Sequence, residues 1–280
     1  MVIDFKEGKK SLDDRIDIHT LYGSHNIDDW MLDLVSLESG SKILDLGCGS
    51  GKQSFLIYNH LNGECEVLGT DESEDLLQKA RDTASKSNLP LSFTKLDFDT
   101  KFPFEDNTFD FVVCSFAIYY ADNIEFTLSE IYRIMKLGGT MLLVGPMPNN
   151  KKEFHDIIEN SLNCKIPPLV GSSRFSTVIL NTVTAKFQET SLYVFKNTLT
   201  FPNPAPLLNY TEASLSKTRG IYSKILEGRD YNDAIQTIEN HVNVLSSKNK
   251  NDPYQSVRLG ILKYSIPDYI KNNINLMKKI

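Results

Sequence analysis

The stretch Leu44–Ser54, "LDLGCGSGKQS", places glycines at 47, 49 and 51 directly after an apolar run and follows them with Lys52. Three kinds of ligand-holding loop share parts of this pattern. A Walker loop needs G-x-x-x-x-G-K-[ST], and with Gly51-Lys52 as its GK pair the leading glycine falls on Leu46 and the hydroxyl on Gln53. Both positions fail. A dinucleotide fingerprint needs G-x-G-x-x-G, and Lys52 stands where the third glycine belongs, which weakens that reading. The third pattern is an acid ending the first strand, a G-x-G-x-G turn, and a second acid ending the next strand. Asp45, Gly47, Gly49, Gly51 and Asp71 meet it.

The chemistry of that third pattern follows from its residue types. Glycines without a Cβ let the backbone approach a nucleoside and an amino-acid moiety closely. A carboxylate after the second strand can accept from both ribose hydroxyls, and one beside the loop can meet a cationic amino group directly or through water. S-adenosylmethionine needs all three.

Outward from the loop, short apolar runs alternate with helical patterns, as in a parallel sheet built from βα units. The expected strands are "KILDL", "CEVLGT", "LSFTK", "FDFVVC" and "GTMLLVG". Between them, "ESEDLLQKARDTASK" sets Leu76, Leu77, Ala80 and Ala84 on one helical face, with Ser73 as its cap. "NIEFTLSEIYRIMKLGG" sets Ile124, Leu128, Ile131 and Met135 in a stripe, with Gly138 as its stop. "HNIDDWMLDLVSL" reads as a short helix covering the cleft from the N-terminal side. After the fifth strand, "KKEFHDIIENSL" is helical, with Phe154, Ile157, Ile158 and Leu162 on one face and Asn150 with Glu153 as a reciprocal N-cap. "TSLYVFKNTLTFP" and "YQSVRLGILKYSI" read as strands enclosing a helical insertion from roughly Pro206 to Leu245.

The 280 residues suit one α/β domain with insertions. The net charge of −6 opposes a phosphate-backbone partner, which needs a concentrated basic surface. No apolar run of signal-peptide or membrane-spanning length occurs, so the reading is of a cytoplasmic protein without a membrane partner. Cys48, Cys65, Cys114 and Cys164 form no C-x-x-C pair, which suits a reducing compartment and argues against a metal site.

Taken in order, "ILDLGCGSG", "GTDES", "LDFDTKFPFEDNTFDFVVCSFAIYYADN" and "EIYRIMKLGGTMLLVGP" resemble the class I S-adenosylmethionine-dependent methyltransferases from about Tyr22 to Pro146. The resemblance implies a Rossmann-like, mostly parallel seven-stranded sheet flanked by helices. It implies a cover over residues 1–40, a cofactor-binding core over 41–146, and a C-terminal part over 147–280 that completes the sheet and carries a helical substrate lid. S-adenosyl-L-methionine would leave as S-adenosyl-L-homocysteine. Implied cofactor contacts are Tyr22, Asp45, Gly47, Cys48, Gly49, Gly51, Asp71, Glu72, Asp97, Phe98, Ser115 and Ala117. Asp97 would accept from the adenine amine with Phe98 stacking beside it, Ser115 would stand by the sulfonium, and Tyr22 would cover the methionine end. Ala117, Tyr119 and Tyr120 would line the passage to the acceptor.

Methyl transfer from a sulfonium asks the protein mainly to align the nucleophile and exclude water. A hydroxyl acceptor would benefit from a base, whereas a neutral amine needs little beyond positioning. His19 and His25 flank Tyr22 in the covering segment and are the candidate bases, with Tyr119 as a third catalytic candidate. His155, after the fifth strand, is a weaker option, while His60 and His241 read as surface residues. Arg174 and Lys52 read as solvent-facing. "CSFA" lacks the Asn-Pro-Pro-aromatic signature of amino-methylating nucleic-acid enzymes, and Phe201, Tyr210 and Tyr222 suggest a lid over an organic acceptor. The favoured activity is methylation of an oxygen or nitrogen atom of a small molecule in natural-product or cofactor biosynthesis, without DNA, by a monomer or homodimer. Methylation of a protein or tRNA, and cofactor binding without methyl transfer, are the alternatives.

Overall fold

The computed structural model describes residues 18–187, 189–215, 220–248, 258–261 and 277–278. In it the apolar run before the glycines forms β1 (Ser41–Leu46), whose last four residues are all buried. A strand buried on both faces belongs at the centre of a helix-covered parallel sheet. Accordingly β1 pairs in parallel with β2 (Cys65–Asp71) on one side and β4 (Phe109–Ser115) on the other. β3 (Ser92–Lys95) extends the sheet beyond β2, and β5 (Met135–Val144) extends it beyond β4. The order β3-β2-β1-β4-β5 reverses direction between β1 and β4. Ligand crevices of such sheets open at the carboxyl ends of the strands flanking that reversal, where the glycine loop lies.

The parallel sheet has five strands, not the expected seven. Met277–Lys278 (β8) adds only a two-residue antiparallel pairing at the β5 edge. From the segment 190–202, only β6 (Asn197–Thr200) is a strand, and it pairs with β7 (Arg258–Ile261) in a separate antiparallel ribbon. "SLYVF" has strand-forming side chains but no ladder partner among the described residues, and Tyr193 and Phe195 instead pack against Trp30 of the covering segment. The rest of the second expected terminal strand lies outside the described residues.

Of the helices α1 (Ile27–Asp33), α2 (Lys52–His60), α3 (Glu74–Lys86), α4 (Ile124–Ile134) and α5 (Lys152–Leu162), α2 leads out of the glycine loop and the others follow the sequence pattern, with differences at their ends. Ser73 caps α3 through the Leu76 N–H, and Leu77, Ala80 and Ala84 are buried. Met135, expected to complete the stripe of α4, instead starts β5. The Arg133 and Ile134 carbonyls accept from the Asn107 and Thr108 N–H groups at 3.0 and 2.7 Å, which ends the helix one turn early. Gly138 therefore sits at φ 76° within β5 and is not a helix stop. The reciprocal cap of α5 does not form: Lys151 occupies the cap position at φ 66° without a side-chain cap.

A helix absent from the sequence reading, α6, spans residues 170–186 and contains a π turn over Phe175–Ile179. Phe175, Ile179, Val183 and Phe187 recur every four residues and pack with Leu128 and Ile131 of α4 in the principal core. The expected insertion is helical, comprising α7 (Ala205–Ser214), α8 (Gly220–Ile225) and α9 (Tyr231–Lys248). These helices close a second apolar core around Phe154, Ile158 and Ile238, and Phe201, Tyr210 and Tyr222, expected in a lid over the acceptor, are buried in that core instead. Among the described residues no helix is long and apolar enough to cross a membrane.

Candidate active site

Gly47, Gly49 and Gly51 have φ values of 74°, 55° and 87°, so the loop turns through conformations costly for any other residue type. The Gly47 and Cys48 N–H groups donate to the Thr70 carbonyl at 2.7 and 2.8 Å, pinning the loop to β2. Asp71, at the end of β2, accepts the Gly49 N–H through Oδ2 and the Ser73 N–H through Oδ1, each at 2.9 Å. A Cβ at Gly47 would lie 2.3 Å from the Ala117 Cβ and 3.0 Å from the Phe98 Cζ. Hydrogen at that position is what lets the loops after β1, β3 and β4 converge.

Between these loops and the covering segment lies a cavity of about 2050 Å³. Twelve of the residues expected from sequence line it: Gly47, Cys48, Gly49, Asp71, Glu72, Asp97, Phe98, Ser115 and Ala117, together with Tyr120, His19 and His25. Burial and neighbouring carboxylates push the Cys48 thiol far up, which keeps it neutral.

Four expected site residues stand off the cavity lining. Asp45 is buried beneath the loop, where it accepts the Ser54 hydroxyl at 2.7 Å and where burial pushes its carboxyl up to about 7. It ties β1 to α2 and does not face the ligand space. Gly51 faces Phe55 and Phe93 behind the loop. Tyr22 turns away from the cleft into the second core, its ring 5.2 Å from Phe201 in a T-shaped contact. Tyr119 packs on Tyr120 at 4.7 Å and against Gly171, and it is Tyr120 that reaches the cavity. For Tyr22 and Tyr119 the reason is packing: large side chains near the cleft fill core space that the sequence does not locate.

Other expectations also change. His155 lies away from the cavity, with Nε2 3.0 Å from the Tyr222 hydroxyl, and burial pushes it down to about 4. His241 is half-buried, its Nδ1 2.9 Å from the Ser161 hydroxyl, whereas His60 is exposed as expected. Lys52 pairs with Asp28 of α1 at 2.8 Å, linking the cover to α2. Arg174 of α6 donates to the carbonyls of Tyr119, Ala121 and Asp122 at 2.8, 2.6 and 3.3 Å, clamping the loop after β4.

Sequence reasoning missed Phe116 and the aromatic group Trp30, Tyr193 and Phe195, all of which line the cavity. Phe116 is 43% exposed and adopts φ 55°, a left-handed conformation rare for a bulky residue. Its N–H donates to the Val144 carbonyl at 2.8 Å, so the sheet holds it there. The signal for the aromatic group was faint: one tryptophan and an aromatic run, 163 residues apart at Trp30 and Tyr193 (193 − 30).

The lining fits S-adenosyl-L-methionine. The glycine cradle admits a ligand against the backbone, and Asp71, Glu72 and Asp97 offer carboxylates to ribose hydroxyls and amines. The Ser115 Oγ is buried without a protein hydrogen-bond partner at the end of β4, where a bound polar group would satisfy it.

Comparison with known proteins agrees with this geometry. A family model described as a methyltransferase domain matches residues 37–196. The sterol 24-C-methyltransferase of Saccharomyces cerevisiae is 38% identical over 106 residues, 37% of this chain and 27% of that protein. The demethylmenaquinone methyltransferase of Symbiobacterium thermophilum is 36% identical over 104 residues, 37% of this chain and 41% of that one. The chain therefore spans less than half the length of these curated relatives. The YcgJ protein of Bacillus subtilis shares the fold, with a TM-score of 0.50 at 17% identity over 75% of this chain and 86% of that one. The chain carries a methyltransferase domain and belongs to that family, the S-adenosyl-L-methionine-dependent methyltransferases.

Proposed function

We propose that this protein transfers a methyl group to an oxygen or nitrogen atom of a small, largely apolar organic molecule. The observation that carries the reading is that one cavity joins two unlike surfaces. One is the glycine loop with Asp71 and Asp97, and the other is an apolar wall from Trp30, Phe116, Tyr193 and Phe195. An organic acceptor of modest size matches the second surface, as aromatic walls bury apolar area and align rings. The names of the sterol and demethylmenaquinone relatives agree with an organic acceptor. The net charge of −6 weighs against a nucleic-acid one.

S-adenosyl-L-methionine supplies an electrophilic methyl group on a sulfonium that departs as the neutral thioether of S-adenosyl-L-homocysteine. Asp71 and Glu72 would hold the ribose, Asp97 and Phe98 the adenine, and Ser115 the polar atoms near the sulfonium. The cover around α1, with α6 and the segment 190–195 that line the same cavity, would exclude water and hold the acceptor in line.

Incubation with methyl-labelled S-adenosyl-L-methionine and a fractionated cell extract tests the reading. The expected label is in the small-molecule fraction. Label confined to protein or RNA would reject it.

A further inference from the structure

Ser24 and Asn197, 173 residues apart in the chain, meet beside the cavity. Asn197 is buried, and its Oδ1 accepts from the His25 backbone N–H at 3.1 Å and from the Ser24 hydroxyl at 3.3 Å. The backbone donor settles which end of the amide is oxygen. Ser24 Oγ accepts the Thr198 N–H at 3.1 Å and lies 2.8 Å from His25 Nδ1. A hydroxyl has one proton and two lone pairs. With the proton on Asn197 and one lone pair held by Thr198, the remaining lone pair accepts the Nδ1–H of His25. The partner of one ring nitrogen sets the state of the other, so Nε2 is left as the basic nitrogen of a residue that lines the cavity.

The surroundings of that ring define what it faces. His25 meets Phe195 edge-on at 6.4 Å, Phe195 stands 5.0 Å from Trp30, and Trp30 stands 6.4 Å from Tyr193. All four residues line the cavity. A flat ring docks on such a wall through offset or edge contacts. Of the groups that could then be methylated, a hydroxyl on that ring is the one that gains from a base. It titrates near 10 in the manner of tyrosine and is mostly protonated at neutral pH.

We infer that Ser24 and Asn197 hold His25 as the general base for an acceptor bearing an aromatic hydroxyl, with the acceptor ring lying against Trp30 and Phe195. The inference rests on the methyl-transfer reading above. In the step, His25 Nε2 takes the hydroxyl proton, an oxygen lone pair forms the new bond to the methyl carbon, and the pair of the breaking carbon–sulfur bond passes to sulfur. The imidazolium then returns its proton to water. Ser24 and Asn197 are positioning residues, since they act through His25.

Two measurements test this on the full chain. Nitrogen-15 NMR of histidine-labelled protein at about pH 8.5, where imidazole is neutral, reads the tautomer directly, the His25 signals being those lost in His25→Gln. Protonated Nδ1 with unprotonated Nε2 is expected, and Ser24→Ala should shift the ring toward the Nε2–H form while Ser24→Thr should not. A wild-type ring protonated on Nε2 overturns the proposal. The second measurement uses 2-naphthol, 4-methylphenol and 4-nitrophenol with methyl-labelled S-adenosyl-L-methionine, after calorimetry has established that the cofactor binds. Methyl ethers are expected, with kcat falling about 100-fold in His25→Ala for the least acidic phenol and less for the most acidic. In Ser24→Ala, kcat should fall about tenfold with KM changed less than threefold. No ether from any phenol, in protein that binds the cofactor, overturns the proposal. Failure of cofactor binding overturns the underlying methyl-transfer reading instead.

Discussion

Asp71 holds Gly49 from across 22 residues of chain: its Oδ2 accepts the Gly49 N–H at 2.9 Å while its Oδ1 caps the Ser73 N–H. The same carboxylate that lines the cavity thus shapes the loop on its opposite side. Asp71→Ala removes an acceptor from both, and S-adenosyl-L-methionine affinity measured by calorimetry should fall tenfold or more. Asp71→Asn, which keeps one acceptor oxygen, should lie between. Wild-type affinity in a folded Asp71→Ala protein would remove this residue from the binding site.

Gly47 and Gly40 both have positive φ, 74° and 81°, but only Gly47 has a neighbour where a Cβ would go. Gly40→Ala meets nothing within 4 Å and should cost only the backbone strain, about 1 kcal/mol in urea denaturation. Gly47→Ala adds a collision with the Ala117 Cβ and should cost about 3 kcal/mol, with cofactor binding lost. Equal costs would mean that the loops have room to separate.

Arg174 gathers three carbonyls of the loop that follows β4, from Tyr119, Ala121 and Asp122. Deleting a charged donor from part-buried acceptors costs about 2 kcal/mol, so Arg174→Ala should lower the urea midpoint by that equivalent. Arg174→Lys should recover less than half, because an ammonium cannot span acceptors as a planar guanidinium does. Full recovery by lysine would show that charge alone matters.

His155 sets an acid limit on the second core. Burial, with Lys151 adding to it, lowers its pKa from the ordinary 6.5 to about 4, although Glu159 and Asp156 oppose the shift. Between these values the unfolded chain binds the proton that the native ring refuses. Stability is therefore full above 6.5 and is lost as pH falls toward 4. The melting temperature of wild type should drop more steeply than that of His155→Gln over this window. Parallel curves would show that other groups govern acid unfolding.

How far the sequence carries depends on whether a residue's role is local. The five parallel strands and the helices α3 to α5 were legible because apolar periodicity and caps such as Ser73 act within a few residues. The glycine loop with its two acids was legible for the same reason, since spacing along one βαβ unit already implies proximity. α6 was missed because its four-residue recurrence from Phe175 to Phe187 is diluted by threonines and serines that favour no single structure.

The sequence by itself therefore determined the sheet's core, the family and the place of the glycine loop. Tertiary structure decided that Asp45 supports Ser54 beneath the loop, that Tyr22 and Tyr119 fill cores, and that Asn197 reaches Ser24 and His25. These outcomes turn on which long-range partner can satisfy a buried polar atom or fill a given volume. Such partners are chosen only when the packed chain brings distant segments together.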